Sequence, residues 1–345
     1  MSGRMVTAWA AAQRKRELMT LSYRSPPLRP MDVEIQVTHC GLCSSDLHLI
    51  DGHWGDASVY PQVCGHEVIG RISAVGENVA GLRLGQRVGV GWYRSACLAC
   101  EFCLRGQEQH CPCLIATCTH GEHGGLADYM HCDSRFVFPI PSALSSEHAA
   151  PLLCAGVTVH TALKRATEPN MVVGIVGIGG LGHLAVQFAA KRGCHVTALS
   201  SSPHKERDAL TLGAKRFVDL SEPVECKRVR NALDYILVTS SVACDWPTII
   251  DMLRPCGTLC FAGMPPPVTF DIASMMYKTL SITTANVGGR RDILDTLDFA
   301  AARGVRPWVQ SWPLEDVNQA IRQLRKGRVH YRAVMHVGKE HGPAQ

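Results

Sequence analysis

Along the first 150 residues the apolar positions fall into short alternating runs, at 33–38, 68–75, 87–92, 127–130 and 135–139, each interrupted by Gly or Pro. Alternation over four to eight residues puts every second side chain on one face, so these runs predict half-buried strands in an irregular, strand-rich region. From residue 152 to 288 the pattern changes. Strand-like runs at 172–176, 195–200, 235–238, 258–262 and 280–285 alternate with helix-spaced stretches at 181–192, 205–212 and 248–253. That alternation predicts βαβ units, and hence a parallel sheet with helices on both faces. Beyond Gly288 two more helical stretches, 291–302 and 314–326, lead to a last strand at 331–336. The expected class is therefore α/β, with a strand-rich start, a doubly wound middle and a returning tail.

Composition narrows the function more than the fold. The 345 residues suffice for two domains with cores of their own, and 46% hydrophobic content excludes a disordered chain. The net charge of +5 is dispersed apart from short runs such as Arg14–Arg16, so no nucleic-acid partner is expected. No apolar stretch reaches the roughly 20 residues that span a bilayer, so no membrane partner is expected either. The apolar run from Met5 to Ala12 is too short for a secretory signal and is cut off at once by Gln13-Arg-Lys-Arg-Glu17. It reads as the first strand of a folded domain, in a cytoplasmic protein. Sixteen cysteines in such a chain point to metal ligands rather than disulfides.

Two local motifs carry chemistry. The run 172–176 enters Gly177-Ile178-Gly179-Gly180-Leu181-Gly182 and then a helical pattern, which is the strand–turn–helix context of a pyrophosphate-binding loop. Gly177 permits the tight turn, Gly179 lets backbone approach phosphate, and Gly182 lets helix pack close to strand. An NAD site would carry Asp or Glu at the end of the next strand, for the ribose 2′-hydroxyl. Here that place holds Ser200, Ser201 and Ser202, followed by Lys205, with no carboxylate before Glu206. Small hydroxyls and a cation suit a 2′-phosphate, so NADP(H) is the expected cofactor. The second motif is Cys97-x₂-Cys100-x₂-Cys103-x₇-Cys111. Four soft ligands at that spacing can close tetrahedrally on Zn²⁺ with no open position, as in a structural zinc site. Cys113 and Cys118 lie nearby with poorer spacing.

A further set, Cys43, His66 and Cys154, is too dispersed for spacing alone to single out. Its surroundings resemble a known family. Cys40–His48 (CGLCSSDLH), Gly65–Glu67 (GHE), the 97–111 lobe, Ala150–Gly156 (APLLCAG) and Gly174–His183 (GIVGIGGLGH) occur in the order found in zinc-containing medium-chain dehydrogenases/reductases, in the cinnamyl-alcohol-dehydrogenase-like branch. The resemblance covers essentially the entire chain. It implies a GroES-like β-barrel catalytic domain over 1–151 and 289–345, and a Rossmann domain over 152–288. It also implies two zinc ions per chain and a homodimer paired through the edge strand 280–285. Cys43, His66 and Cys154 would bind the catalytic zinc, leaving a fourth position open. Glu67 would lie beside the metal and coordinate it transiently, and Asp46 would orient the ligands. Ser45 and His48 would relay a proton, through the nicotinamide ribose, between substrate and solvent.

The sequence departs from the branch in several places, Cys113 and Cys118 after the cysteine lobe among them. Cys64 stands where Pro usually precedes Gly-His-Glu; its thiol is either a small buried side chain or an alternative ligand and oxidation site. Trp92-Tyr93-Arg94 before the cysteine lobe is unusual, and the loop 119–125 is short. Trp54, six residues beyond His48, is either a pocket wall or ordinary core. The implied activity is hydride transfer between NADP(H) and a primary alcohol or its aldehyde. The alternatives are an NAD-dependent polyol dehydrogenase of the same superfamily, which would favour an acidic strand end, and a non-catalytic NADPH-binding zinc protein.

Overall fold

The structure, a computed structural model, describes residues 3–338. It divides into two compact units. The first takes the described residues up to Cys154, Gly288–Ala301 and those from Pro307 onward; the second takes Ala155–Val287 and Ala302–Arg306.

The first unit is built mostly of antiparallel strands. In chain order they are β1 (Met5–Ala11), β2 (Leu18–Arg24), β3 (Asp32–Leu42), β4 (Gln62–Val63), β5 (Glu67–Val75), β6 (Arg87–Val90), β7 (Tyr93–Ser95), β8 (Ile115–Ala116), β9 (Tyr129–Asp133) and β10 (Phe138–Pro139). Short helices α1 (Ser44–Ile50), α2 (Glu101–Leu104) and α3 (Ser146–Ala149) interrupt them. The apolar start thus forms β1, which pairs with β2 and β4. The run expected as a strand at 135–139 is largely a 3₁₀ turn, Ser134–Phe136, with only Phe138–Pro139 in a ladder. There the Asp133 carboxylate caps the turn by accepting from the Arg135 N–H, an alternative to a ladder bond that periodicity does not register.

The second unit begins with α4 (Ala155–Ala166), followed by β11 (Val172–Val176), α5 (Gly182–Lys191), β12 (His195–Ser200), α6 (Glu206–Thr211), β13 (Arg216–Asp219), α7 (Pro223–Arg228), β14 (Leu233–Val238), α8 (Trp246–Met252), β15 (Leu253–Phe261), α9 (Ile272–Lys278) and β16 (Ser281–Thr284). All six strands are parallel, in the order β13-β12-β11-β14-β15-β16. Numbered within the sheet this is 3-2-1-4-5-6, the doubly wound arrangement whose ligand crevice opens where the order reverses. Here that is between β11 and β14. Its central strands β11, β12 and β14 are rich in Val, Ile and Leu and buried on both faces, as parallel strands under helices must be.

The tail returns to the first unit through α10 (Arg290–Arg303), β17 (Val309–Pro313), α11 (Val317–Arg325) and β18 (Arg332–His336). β18 inserts between β3 and β17, giving a sheet ordered β10-β6-β5-β3-β18-β17, with β9 also paired to β3. Residues more than 290 positions apart thus become ladder neighbours, as His39 does with His336.

Candidate functional site

Asp46 organises the loop at the start of α1. It is fully buried, and its carboxylate accepts from three N–H groups: the Cys43 backbone at 2.8 Å, the Gly65 backbone at 2.9 Å and His66 Nδ1 at 3.1 Å. With Nδ1 committed, His66 turns Nε2 the other way, where this fully buried nitrogen has no hydrogen-bond partner. Cys43 Sγ, a His66 ring nitrogen, a Glu67 carboxylate oxygen and Cys154 Sγ form a group within 4.8 Å of one another. Two sulfurs, an imidazole nitrogen lacking a partner and a carboxylate form a donor set that fits a zinc-like ion. The Cys64 thiol, by contrast, donates to the Asp46 carbonyl at 3.8 Å and lies outside this group. It packs as a small, fully buried side chain.

The proton affinities of the four groups are set by one another. The Cys154 thiol donates to Cys43 and, with help from His66 and Arg332, holds the Cys43 thiol well below the usual thiol range; the same bond, with burial, pushes Cys154 up. Burial works against a charged His66, but Asp46 and Cys154 outweigh it and raise its proton affinity. Burial raises the Glu67 carboxyl, and Arg332 opposes that rise. Glu67 accepts from Arg332 Nη2 through one oxygen, while the other, Oε2, lacks a partner. Gly41, opposite Glu67 in the β3–β5 ladder, makes room: a Cβ there would run into Oε2. No sequence motif marks Arg332, whose role comes only from the place of β18 in the sheet.

Ser45 and His48 lie three residues apart on α1 and are both half-buried, which puts them on one helix face. The Cys43 thiol donates to Ser45 Oγ at 3.7 Å. His48 Nδ1 meets Nδ1 of the exposed His53 at 3.1 Å. Burial and the neighbouring His53 hold His48 below the usual imidazole value, so it is neutral and able to accept a proton near pH 7. His53 carried no sequence signal. Trp54 stacks on His48 at 5.3 Å and meets Trp92 edge-on at 5.8 Å; Trp92 in turn meets the His66 ring edge-on at 4.5 Å. Both tryptophans are half-buried and form one aromatic wall from His48 to His66. The other unusual segment is tied down as well. Arg94 binds the short loop 119–125 through the Glu122 carboxylate at 2.8 Å and the His123 carbonyl at 3.3 Å.

The sulfurs of Cys97, Cys100, Cys103 and Cys111 also gather within 4.8 Å. Cys97 lies 3.9 Å from Cys103 and 3.5 Å from Cys111, close to the roughly 3.8 Å edge of a tetrahedron with 2.3 Å metal–sulfur bonds. Backbone N–H groups of Ala99 and Cys100 donate to Cys97 Sγ and, with Cys111, bring its thiol down to about 6; burial pushes Cys103 up to about 12. Cys113 lies outside this group, although its N–H donates to Cys111 Sγ. Cys118 is elsewhere, 3.9 Å from His66 Nδ1.

In the second unit the glycine turn joins β11 to α5. Gly177 has φ +86°, and a Cβ on Gly182 would run into the Gly177 carbonyl oxygen. A Cβ on Gly179 would meet nothing within 4 Å; with Ile178 it faces a cavity of about 430 Å³. The cavity reaches Ser200, Ser201, Ser202 and Lys205, while Gly180 and Leu181 carry the turn into α5. The Ser200 hydroxyl accepts from the Ser202 N–H at 3.2 Å, so it also shapes its own loop. Burial lowers the proton affinity of Lys205. Thr239, just past β14, braces the turn by donating to the Gly177 carbonyl at 2.6 Å. Only its place at the end of a predicted strand could have signalled it.

Residues 29–142 match the alcohol dehydrogenase GroES-like domain, and residues 180–302 match the zinc-binding dehydrogenase domain. The aldehyde reductase AdhA of Synechocystis sp. is 35% identical over 96% of this chain and 98% of its own. The chain belongs to the zinc-containing medium-chain dehydrogenase/reductase family. The cinnamyl alcohol dehydrogenase SbCAD4 of Sorghum bicolor superposes with TM-score 0.92 at 36% identity, covering 96% of this chain and 98% of that one. The Helicobacter pylori cinnamyl alcohol dehydrogenase in complex with NADP(H) gives TM-score 0.89 at 27% identity, over 97% and 99% of the two chains. These relatives place the chain in the cinnamyl-alcohol-dehydrogenase-like branch, as an alcohol/aldehyde oxidoreductase.

Proposed function

We propose that the protein interconverts a primary alcohol and its aldehyde with NADP(H), holding one catalytic and one structural zinc. The observation that carries this reading is the buried Cys43–His66–Cys154 set, with His66 Nε2 lacking a partner and Asp46 holding the opposite nitrogen. Cys43, His66 and Cys154 would hold the catalytic ion, with Glu67 near enough to join them. Cys97, Cys100, Cys103 and Cys111 would hold the structural one. When bound, the catalytic ion supplies Lewis acidity toward the substrate oxygen, and NADP(H) supplies or accepts the hydride.

The remaining work falls to the chain. Asp46 fixes the His66 tautomer and the Cys43 loop together, so neither ligand needs to reorganise. The aromatic wall of Trp54 and Trp92 keeps one side of the site apolar and suits a flat or hydrocarbon substrate. Ser45 and neutral His48 carry the proton, and exposed His53 gives His48 an outlet to solvent. In the second unit the open face at Gly179 takes the pyrophosphate. Ser201, Ser202 and Lys205 take the 2′-phosphate, with Ser200 shaping their loop. The absence of an acidic residue at that strand end favours this over the NAD-dependent polyol reading.

We assign the GroES-like catalytic domain to 1–151 and 289–345 and the Rossmann domain to 152–288. We further propose a homodimer through β16, an exposed edge of the parallel sheet. None of the sixteen cysteines is in a disulfide, which supports a reducing, cytoplasmic setting. The deciding experiment is an aldehyde panel assayed with NADPH and NADH in parallel, alongside metal analysis. Two zinc ions per chain and NADPH-dependent reduction are expected, with Cys43→Ala retaining one zinc and losing turnover. A strong NADH preference would overturn the cofactor assignment, and an active, two-zinc C43A protein would overturn the ligand assignment.

A further inference from the structure

Away from these sites, three side chains from three elements converge. His39 of β3, Glu147 of α3 and His336 of β18 each bring a ligand atom within 4.8 Å of the other two. His336 Nε2 lies 2.9 Å from Glu147 Oε1. His39 and His336 are direct partners in the antiparallel β3–β18 ladder, and their rings lie 4.6 Å apart at 58°. Sheet register, rather than a flexible loop, therefore holds the two imidazoles together.

The outer contacts orient the group as they would around a metal. His39 Nδ1 meets Thr38 Oγ1 at 3.0 Å, leaving Nε2 for a ligand, and Thr38 in turn donates to the Ile69 carbonyl at 3.2 Å. Glu147 Oε1 also accepts from the Ser311 hydroxyl of β17 at 3.1 Å. All three residues are half-buried: sheltered from bulk solvent, yet open enough for water to fill the remaining coordination positions. A simple Glu147–His336 ion pair accounts for two of the three members only. His39 is the third member, held against His336 by the ladder register rather than by that ion pair. Two imidazoles and a carboxylate with ligand atoms this close are a set that borderline divalent ions select. The opposing charge is Arg87, whose guanidinium is turned toward the Pro141 carbonyl at 2.9 Å.

We propose that His39, Glu147 and His336 form a third metal site, for a borderline divalent cation of the Zn²⁺ or Ni²⁺ type, that clamps β18 to β3 and α3. It differs from the cysteine-bearing sites in offering only nitrogen and oxygen donors. Its structural leverage is direct: Arg332, the partner of Glu67, sits four residues earlier on the same strand and, by the two-residue strand period, on the same face as His336. A clamp at His336 holds the strand that delivers Arg332.

The test is equilibrium dialysis of the holoenzyme, first brought to two zinc ions per chain, against micromolar Ni²⁺, with nickel and zinc both counted and the melting temperature read with and without nickel. The wild type should take up one Ni²⁺ per chain with zinc content unchanged, and should melt higher when nickel is bound. His336→Gln and Glu147→Gln should bind nickel at least tenfold more weakly and lose the shift in melting temperature. Glu147→Gln keeps both ladder residues, so it tests the site even if replacing a strand histidine impairs folding. No nickel uptake by the wild type, uptake only at the expense of zinc, or wild-type uptake by both variants would overturn the proposal.

Discussion

Glu67 and Arg332 show how much one buried pair can govern. Both side chains are almost completely buried, and Glu67 has a second oxygen with no partner. Removing only the cation leaves an uncompensated carboxylate in a low-dielectric setting, which costs about 3–5 kcal/mol. Arg332→Met should therefore lower unfolding stability in urea by about that amount. Adding Glu67→Gln should restore part of the loss, since the buried charge is then gone. Additive losses in the double variant would show that the pair is not what stabilises this region. At this scale the sequence was legible wherever a residue belonged to a compact motif. Cys43, Asp46, His66 and Glu67 sit in CGLCSSD and GHE, and the structure brings their side chains together. Arg332, His53 and Thr239 were not legible, because each acts through a partner that only the folded chain places beside it.

Elements are held in place by contacts that can be tested one at a time. Asp51, the residue that ends α1, accepts two hydrogen bonds from Arg325 at the end of α11, at 2.6 and 2.8 Å. Arg325 holds the Asp51 carboxyl below its ordinary value of 3.8. A lowered folded-state value means that the stabilisation is present above about pH 4 and is lost as pH falls through the folded value. Arg325→Ala should thus cost about 0.5–1 kcal/mol at pH 7, a figure discounted because Arg325 is partly exposed, and less near pH 2. Denaturation measured at both pH values checks this; an equal cost at both would refute it. The glycine turn offers a sharper contrast. Gly182→Ala should lower the melting temperature and abolish dinucleotide binding, because the new methyl meets the Gly177 carbonyl. Gly179→Ala should leave the melting temperature unchanged yet weaken NADPH binding, because its methyl points into open space that phosphate would need. The elements themselves were legible where one face was apolar. Helix α4 was not legible because its polar residues Thr158, His160 and Thr161 are buried along with the apolar ones, so no exposed polar face marks it before Lys164. α7 buries only Cys226 and α9 no residue, so neither has a buried apolar stripe to mark it.

For the molecule as a whole, the alternation of strand and helix signals made the α/β class and the parallel sheet legible. The long-range pairing of β18 was not, since a period of two fixes a face but not a neighbour. The free edge of the parallel sheet, β16, presents residues exposed along its length, including Ile282. Unpaired edges of this kind invite association with a second copy. Ile282→Lys should shift a dimer toward monomer in size-exclusion chromatography with light scattering, while metal content stays the same. A variant that remains dimeric would place the interface elsewhere.

The position of β18 also sets an order of events during synthesis. Glu67 and Arg332 are separated by 265 residues. At about 5–20 residues per second, the guanidinium emerges roughly 13–53 s after the carboxylate it neutralises. Throughout that interval the nascent CGLCSSD and GHE segments lack both Cys154, for the earlier part, and Arg332, to the end. Burying Glu67 is thus a late step, coupled to insertion of the last strand, and a ribosome-stalled chain ending before β18 would expose this carboxylate to water.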